Sequence, residues 1–79
     1  MENKKIAQDI YSKIILEIKE KKISQKSIAE EINMTPQTFS DNMNRLIEGK
    51  FPKVEFLLDV QKVLGVDLGI NFFNPLYTF

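Results

Sequence analysis

With 79 residues, 43% of them hydrophobic and 28% charged, the chain has the make-up of one small globular domain spanning 1–79, too short for a large enzyme core. It contains no cysteine and no histidine, which removes disulfides, thiolate chemistry and the commonest general base and metal ligand. Eleven basic residues balance eleven acidic ones, which cuts against a simple nucleic-acid reading, although the middle of the chain carries a small positive excess. There, from Lys19 to Lys53, the cations are Lys19, Lys21, Lys22, Lys26, Arg45, Lys50 and Lys53, against Glu20, Glu30, Glu31, Asp41 and Glu48. The carboxylates are scattered or lie on helix faces turned to water, and adjacent Glu30 and Glu31 point in different directions. Neither an enzyme nor a cofactor is expected. No apolar run approaches the ~20 residues of a membrane span, and the start of the chain lacks a secretory signal, so a cytoplasmic location is expected.

In chain order, Ile6, Ile10, Ile14 and the run Leu16–Ile18 predict a first helix with these residues inward. Glu17 and Lys21 stand in the favourable i, i+4 order, and the basic cluster Lys19–Lys22 suits the helix's negative end. Ser24 predicts the N-cap of a second helix whose apolar stripe is Ile28, Ala29 and Ile32. Asn33 falls where a left-handed residue would end it. Thr35 and Pro36 read as N-cap and first position of a third helix, with Phe39, Met43, Leu46 and Ile47 inward and Gly49 at its end. A fourth helix is expected from Val54 to Leu64, stopped by Gly65. Asp67 is placed to cap one last turn through Leu68, Ile70, Phe72 and Phe73, broken at Asn74–Pro75. The expected fold class is all-α, a bundle of four to five short helices.

The stretch from Ile23 to Ser40 carries the functional signal. A short helix presents a small residue, Ala29, for a close crossing; a tight turn follows at Asn33; then comes a capped helix with Gln37, Ser40, Asp41 and Asn44 outward. Such side chains donate and accept hydrogen bonds, which suits base edges and phosphate oxygens. A helix N-terminus adds free N–H groups for an anion.

This run resembles the helix-turn-helix of the phage repressor and Cro-like (lambda repressor-like) family of DNA-binding domains. The pattern is filled by Ile23, Ser24, Gln25, Ile28, Ala29, Ile32, Asn33, Met34 and Thr35, with Gly49-Lys50, Pro52 and the run Val54–Leu68 following as loop, fourth helix and closing turn. The resemblance covers Ile14–Phe73, with the helix-turn-helix core at 23–50. It implies a sequence-specific regulator of repressor type, from a bacterium, phage or mobile element, bound as a homodimer to an operator with inverted-repeat half-sites. It further implies that Gln25 meets a phosphate, that Pro36, Gln37, Ser40 and Asp41 reach bases or backbone in the major groove, and that Thr38, Asn44 and Lys50 lie near phosphates. Lys26 and Arg45 add charge for the backbone, and Thr35, which caps the third helix, is grouped with them.

The sequence departs from the family pattern in three ways. Pro36 and Asp41 stand where hydrogen-bond donors are usual, Asn42 stands where an apolar residue is expected, and Arg45–Glu48 read as an insertion adding about one helical turn. Asp41, the zero net charge and the tail also fit a second reading: a protein-interaction module on the same scaffold, such as an antirepressor, antitoxin or inhibitor, with a protein partner instead of DNA. The apolar tail 70–79 holds Phe72, Phe73, Leu76, Tyr77 and Phe79. It either covers the core or forms a dimerisation surface, the latter being the assignment adopted.

Overall fold

The computed structural model describes residues 2–68, with side chains from Lys4 onward. They form four helices: α1 (Glu2–Lys21), α2 (Gln25–Glu31), α3 (Pro36–Ile47) and α4 (Val54–Leu64). No strand occurs among the described residues, and the fold is a small all-α bundle. The expected turn through Phe72 and Phe73, and the tail with Leu76, Tyr77 and Phe79, lie outside the described residues.

At 20 residues α1 is not short; it packs chiefly on α3 and less extensively on α4, while α2 packs on α3 and α4. Its buried face is Ala7, Ile10 and Ile14, with Tyr11, Ile15 and Ile18 packed at the margin. Two residues expected inward are turned out: Ile6 is 49% exposed and Leu16 55%. Leu16 sits about 200° around the helix from Ile14, on the solvent side, and Ile6 falls at the edge of the stripe. Glu17 and Lys21 meet as expected at 2.8 Å, and this hydrogen bond, with the carboxylate's charge, raises the pKa of the Lys21 ammonium.

The remaining core comes from Ile28 and Ala29 of α2, Phe39, Met43 and Leu46 of α3, and Phe56, Leu57, Val60 and Leu64 of α4, closed by Leu68. No polar or charged residue is buried among the described residues. Phe39 and Phe56 join α3 to α4 edge-to-face, with ring centroids 5.5 Å apart, a geometry that aligns the positive edge of one ring with the negative face of the other. Ile47, expected inward, is 44% exposed; it lies about 100° past Leu46 and so leaves the stripe. Asn42 flanks the stripe, its amide 3.7 Å from the Met34 sulfur, and Phe39, Met43 and Leu46 keep regular i, i+4, i+7 spacing without it.

Each helix stops on a residue in the left-handed region: Lys22 (φ 54°), Asn33 (φ 58°), Gly49 (φ 85°) and Gly65 (φ 64°). The first three share one hydrogen-bond pattern, in which the left-handed residue and its successor bond back to the last turn. The bonds are Ile23 N–H to Ile18 O, Met34 N–H to Ala29 O and Lys50 N–H to Arg45 O, at 3.2, 2.8 and 2.8 Å. These reversals satisfy carbonyls that would otherwise be orphaned and turn the chain within a few residues. They also direct Ile23 and Met34 back against the core.

Gly49 is constrained twice. Beyond its positive φ, a Cβ there would come within 2.9 Å of Lys4 Cβ and 3.1 Å of Lys4 Cα, so the end of α3 lies against the backbone of α1. Gln8 of α1 secures the same junction by donating its side-chain N–H to the Ile47 carbonyl at 2.9 Å. Gly49→Ala is therefore expected to lower the unfolding free energy by about 2 kcal/mol or more, combining left-handed strain with a clash against backbone. Lys22→Gly, which relieves strain with no new contact, is expected to raise it by about 0.5–1 kcal/mol. Urea unfolding midpoints check both signs.

Candidate nucleic-acid interface

Seven residues make α2 too short to persist alone, so its start must be held by capping and its buried face by packing. Ser24 is extended (φ −101°, ψ 156°), and its hydroxyl accepts the Ser27 N–H at 3.0 Å and donates to the Ser27 hydroxyl at 3.0 Å. The start of α3 repeats the device. Thr35 is extended (φ −72°, ψ 151°), its Oγ1 accepts the Thr38 N–H at 3.1 Å, and it donates to Thr38 Oγ1 at 2.9 Å. Pro36 follows at the first helical position, where its missing N–H costs nothing.

A hydroxyl in place of the usual third-position carboxylate has an electrostatic consequence. Neither α2 nor α3 carries an acidic residue in its first turn, so the positive end of each helix dipole is left uncompensated. The first N–H groups of a helix have no intrahelical acceptor. Caps take those of Ser27 and Thr38, leaving the amides of Gln25, Lys26 and Gln37 for an outside acceptor. Ser27 was not among the residues expected to matter; the signal was the Ser-x-x-Ser spacing, which mirrors Thr-x-x-Thr at Thr35.

Along α3, Gln37, Asp41 and Asn44 are exposed and stand about 140–200° from the centre of the buried stripe, forming one outward row. Glu48, the last residue of the added turn, extends that row by a further turn. Gln37 donates its side-chain N–H to Asp41 Oδ1 at 2.9 Å. Thr38 and Arg45 lie to one side, exposed, and line a groove with Phe51, Pro52 and Lys53. On the other flank Ser40 is only half exposed, which makes it the least accessible of the expected reading residues. Gln25, Lys26, Thr35 and Pro36 are exposed at the two helix starts. Lys50 is exposed beyond the end of α3, with its ammonium 3.8 Å from Glu48 Oε1. The added turn before Gly49 is α-helical through Ile47. The tail residues Phe72, Phe73, Leu76, Tyr77 and Phe79 lie outside the described residues. Among the described residues no group of acidic side chains is placed to hold a metal ion.

Because each cap satisfies one otherwise unpaired amide, Ser24→Ala and Thr35→Ala are each expected to lower stability by about 1 kcal/mol. Thermal or urea unfolding measures the loss, and an unchanged midpoint in either variant would contradict the cap assignment.

Residues 12–49, just under half of the chain, match a family model described as winged helix-turn-helix DNA-binding. The matched stretch runs from the middle of α1 to Gly49, where α3 reverses, and thus contains both capped helix starts and the turn between them. The described residues after it form a connection and α4, without a strand. No curated protein matches the chain, and no solved structure does. Residues 12–49 are therefore a helix-turn-helix similar to those of winged helix-turn-helix DNA-binding domains.

Proposed function

We propose that the chain is a sequence-specific regulator of repressor type, which seats α3 in the major groove of an operator and sets the start of α2 on a phosphate. One observation carries this reading. The two helix starts are capped by hydroxyls and free of acid, and they lie together with the outward polar row of α3 inside the segment that matches a DNA-binding family. In this reading Gln25 and Lys26 meet the backbone on one side of the groove, and Thr35, Thr38, Arg45 and Lys50 meet it around α3. Asn44 lies near the backbone with them, and Pro36, Gln37, Ser40 and Asp41 reach bases or backbone in the groove. The resemblance of Ile23–Thr35 to phage repressor and Cro-like proteins supports an origin in a bacterium, phage or mobile element.

The zero net charge does not oppose this. The Lys50–Glu48 pair is exposed on both sides, and such pairs contribute only about 0–1 kcal/mol, so Lys50 exchanges Glu48 for a phosphate at little cost. A second reading, a protein-interaction module, is favoured by one feature: Phe51, in the connection after α3, and Val54, at the start of α4, are each 43% exposed.

Fluorescence anisotropy with the chain's own upstream DNA, titrated at several salt concentrations, separates the two readings. With Lys26, Arg45 and Lys50 on phosphates, log K should fall against log salt with a slope on the order of −3 per bound chain, and Lys50→Ala should make it shallower by about one. Absence of binding at roughly 50 mM salt would reject the DNA reading in favour of the protein-interaction module.

The regulator is further proposed to bind an inverted repeat as a homodimer joined through Phe72, Phe73, Leu76, Tyr77 and Phe79. Phe73→Asp is expected to shift the sedimenting species from dimer to monomer while the helical circular dichroism persists. A wild-type chain that sediments as a monomer at all concentrations would contradict this assembly.

A further inference from the structure

The hydrogen bond between Gln37 and Asp41 has a consequence for which base the outward row of α3 can recognise. Carboxamides carry two N–H groups: one shares an edge with the amide oxygen, and the other points away from it. The edge with oxygen and N–H together is the one that pairs with adenine, accepting from N6 and donating to N7. Gln37 Nε2 already gives a proton to Asp41 Oδ1 at 2.9 Å. Donation through the outer N–H leaves the pairing edge whole, and the bond biases the side chain toward one orientation. Asp41 stands one turn further on, on the same exposed row. Its second oxygen is an acceptor, which disfavours phosphate and the acceptor-only edge of guanine and tolerates the amino groups of adenine and cytosine.

From this arrangement we infer that Gln37 reads an adenine in the major groove and that Asp41 is the positioning residue that aims it. This rests on the DNA-binding reading and names the base within that site. Asp41 thereby acquires a reason to stand at a surface where a carboxylate would otherwise only repel DNA. It gives up some general affinity and gains discrimination at one base pair.

Selection from a randomised duplex library, read for the wild type and the variants Gln37→Ala, Asp41→Ala and Asp41→Asn, tests it. Affinity for a fixed unrelated duplex is measured alongside at one salt concentration. Wild type should favour adenine at one position of each half-site by about tenfold or more. Gln37→Ala should lose that preference there and nowhere else. Asp41→Ala should weaken the adenine preference while binding the unrelated duplex more tightly, since a negative charge is gone. Asp41→Asn keeps an acceptor for the Gln37 N–H, so it should restore the preference yet keep the tighter general binding, a split that loss of charge alone does not produce. A Gln37-dependent preference for another base, or an adenine preference unchanged in Asp41→Ala, would overturn this inference and leave the DNA-binding reading intact. Failure of the wild type to bind any duplex would overturn both.

Discussion

The placement of every other element follows from how closely the end of α3 lies on the start of α1. Gly49 has no room for a side chain against Lys4, and Gln8 grips the last carbonyl of α3. That junction, with Ala7, Ile10 and Ile14 on one side and Phe39, Met43 and Leu46 on the other, fixes the rotation of α3 about its own axis. Once the buried stripe is set, 3.6 residues per turn dictate what faces water. The row Gln37, Asp41, Asn44 and Glu48 is thus a product of packing on the opposite side of the helix. A close backbone contact at Gly49, twelve residues beyond Gln37, therefore governs the orientation of the surface proposed to meet DNA.

Electrostatics at this surface is local. The chain as a whole is neutral, and a survey of net charge would pass it over. What matters is where the negative groups are absent. The first turns of α2 and α3 hold hydroxyls and amides and no carboxylate, so the partial charge of each helix end is available to an anion. Acidic Glu30 and Glu31 sit at the far end of α2, and Glu48 at the far end of α3, near the weakly held Lys50. Asp41 is the carboxylate in the middle of the row, and it accepts a hydrogen bond from Gln37.

Much of this was legible in the residues. Ser24, Thr35 and Pro36 announce helix starts because their side chains are suited to little else in those positions, and Asn33, Gly49 and Gly65 announce ends because few residues tolerate a left-handed backbone. Lys22 escaped notice: a lysine has no preference for positive φ, and its conformation is imposed by Ile23 turning back onto the core. Exposure of Ile6, Leu16 and Ile47 was likewise hidden, since an apolar residue at a stripe's margin looks the same in sequence whether or not a partner covers it. Glu48 was read as part of an inserted turn; only the helical run through Ile47 places it on the outward row. The site itself was assembled from resemblance and outward periodicity, and Ser40 shows the limit of periodicity, standing half covered on the flank.

The central claim is that DNA meets the uncompensated starts of α2 and α3 together. Two-dimensional NMR of the ¹⁵N-labelled chain, titrated with its upstream duplex, addresses it directly. The largest shifts are expected on the amides of Gln25, Lys26 and Ser27 and of Gln37 and Thr38, with α4 from Val54 to Leu64 little changed. Shifts centred on α4 or on the solvent face of α1, with the two helix starts unmoved, would contradict it.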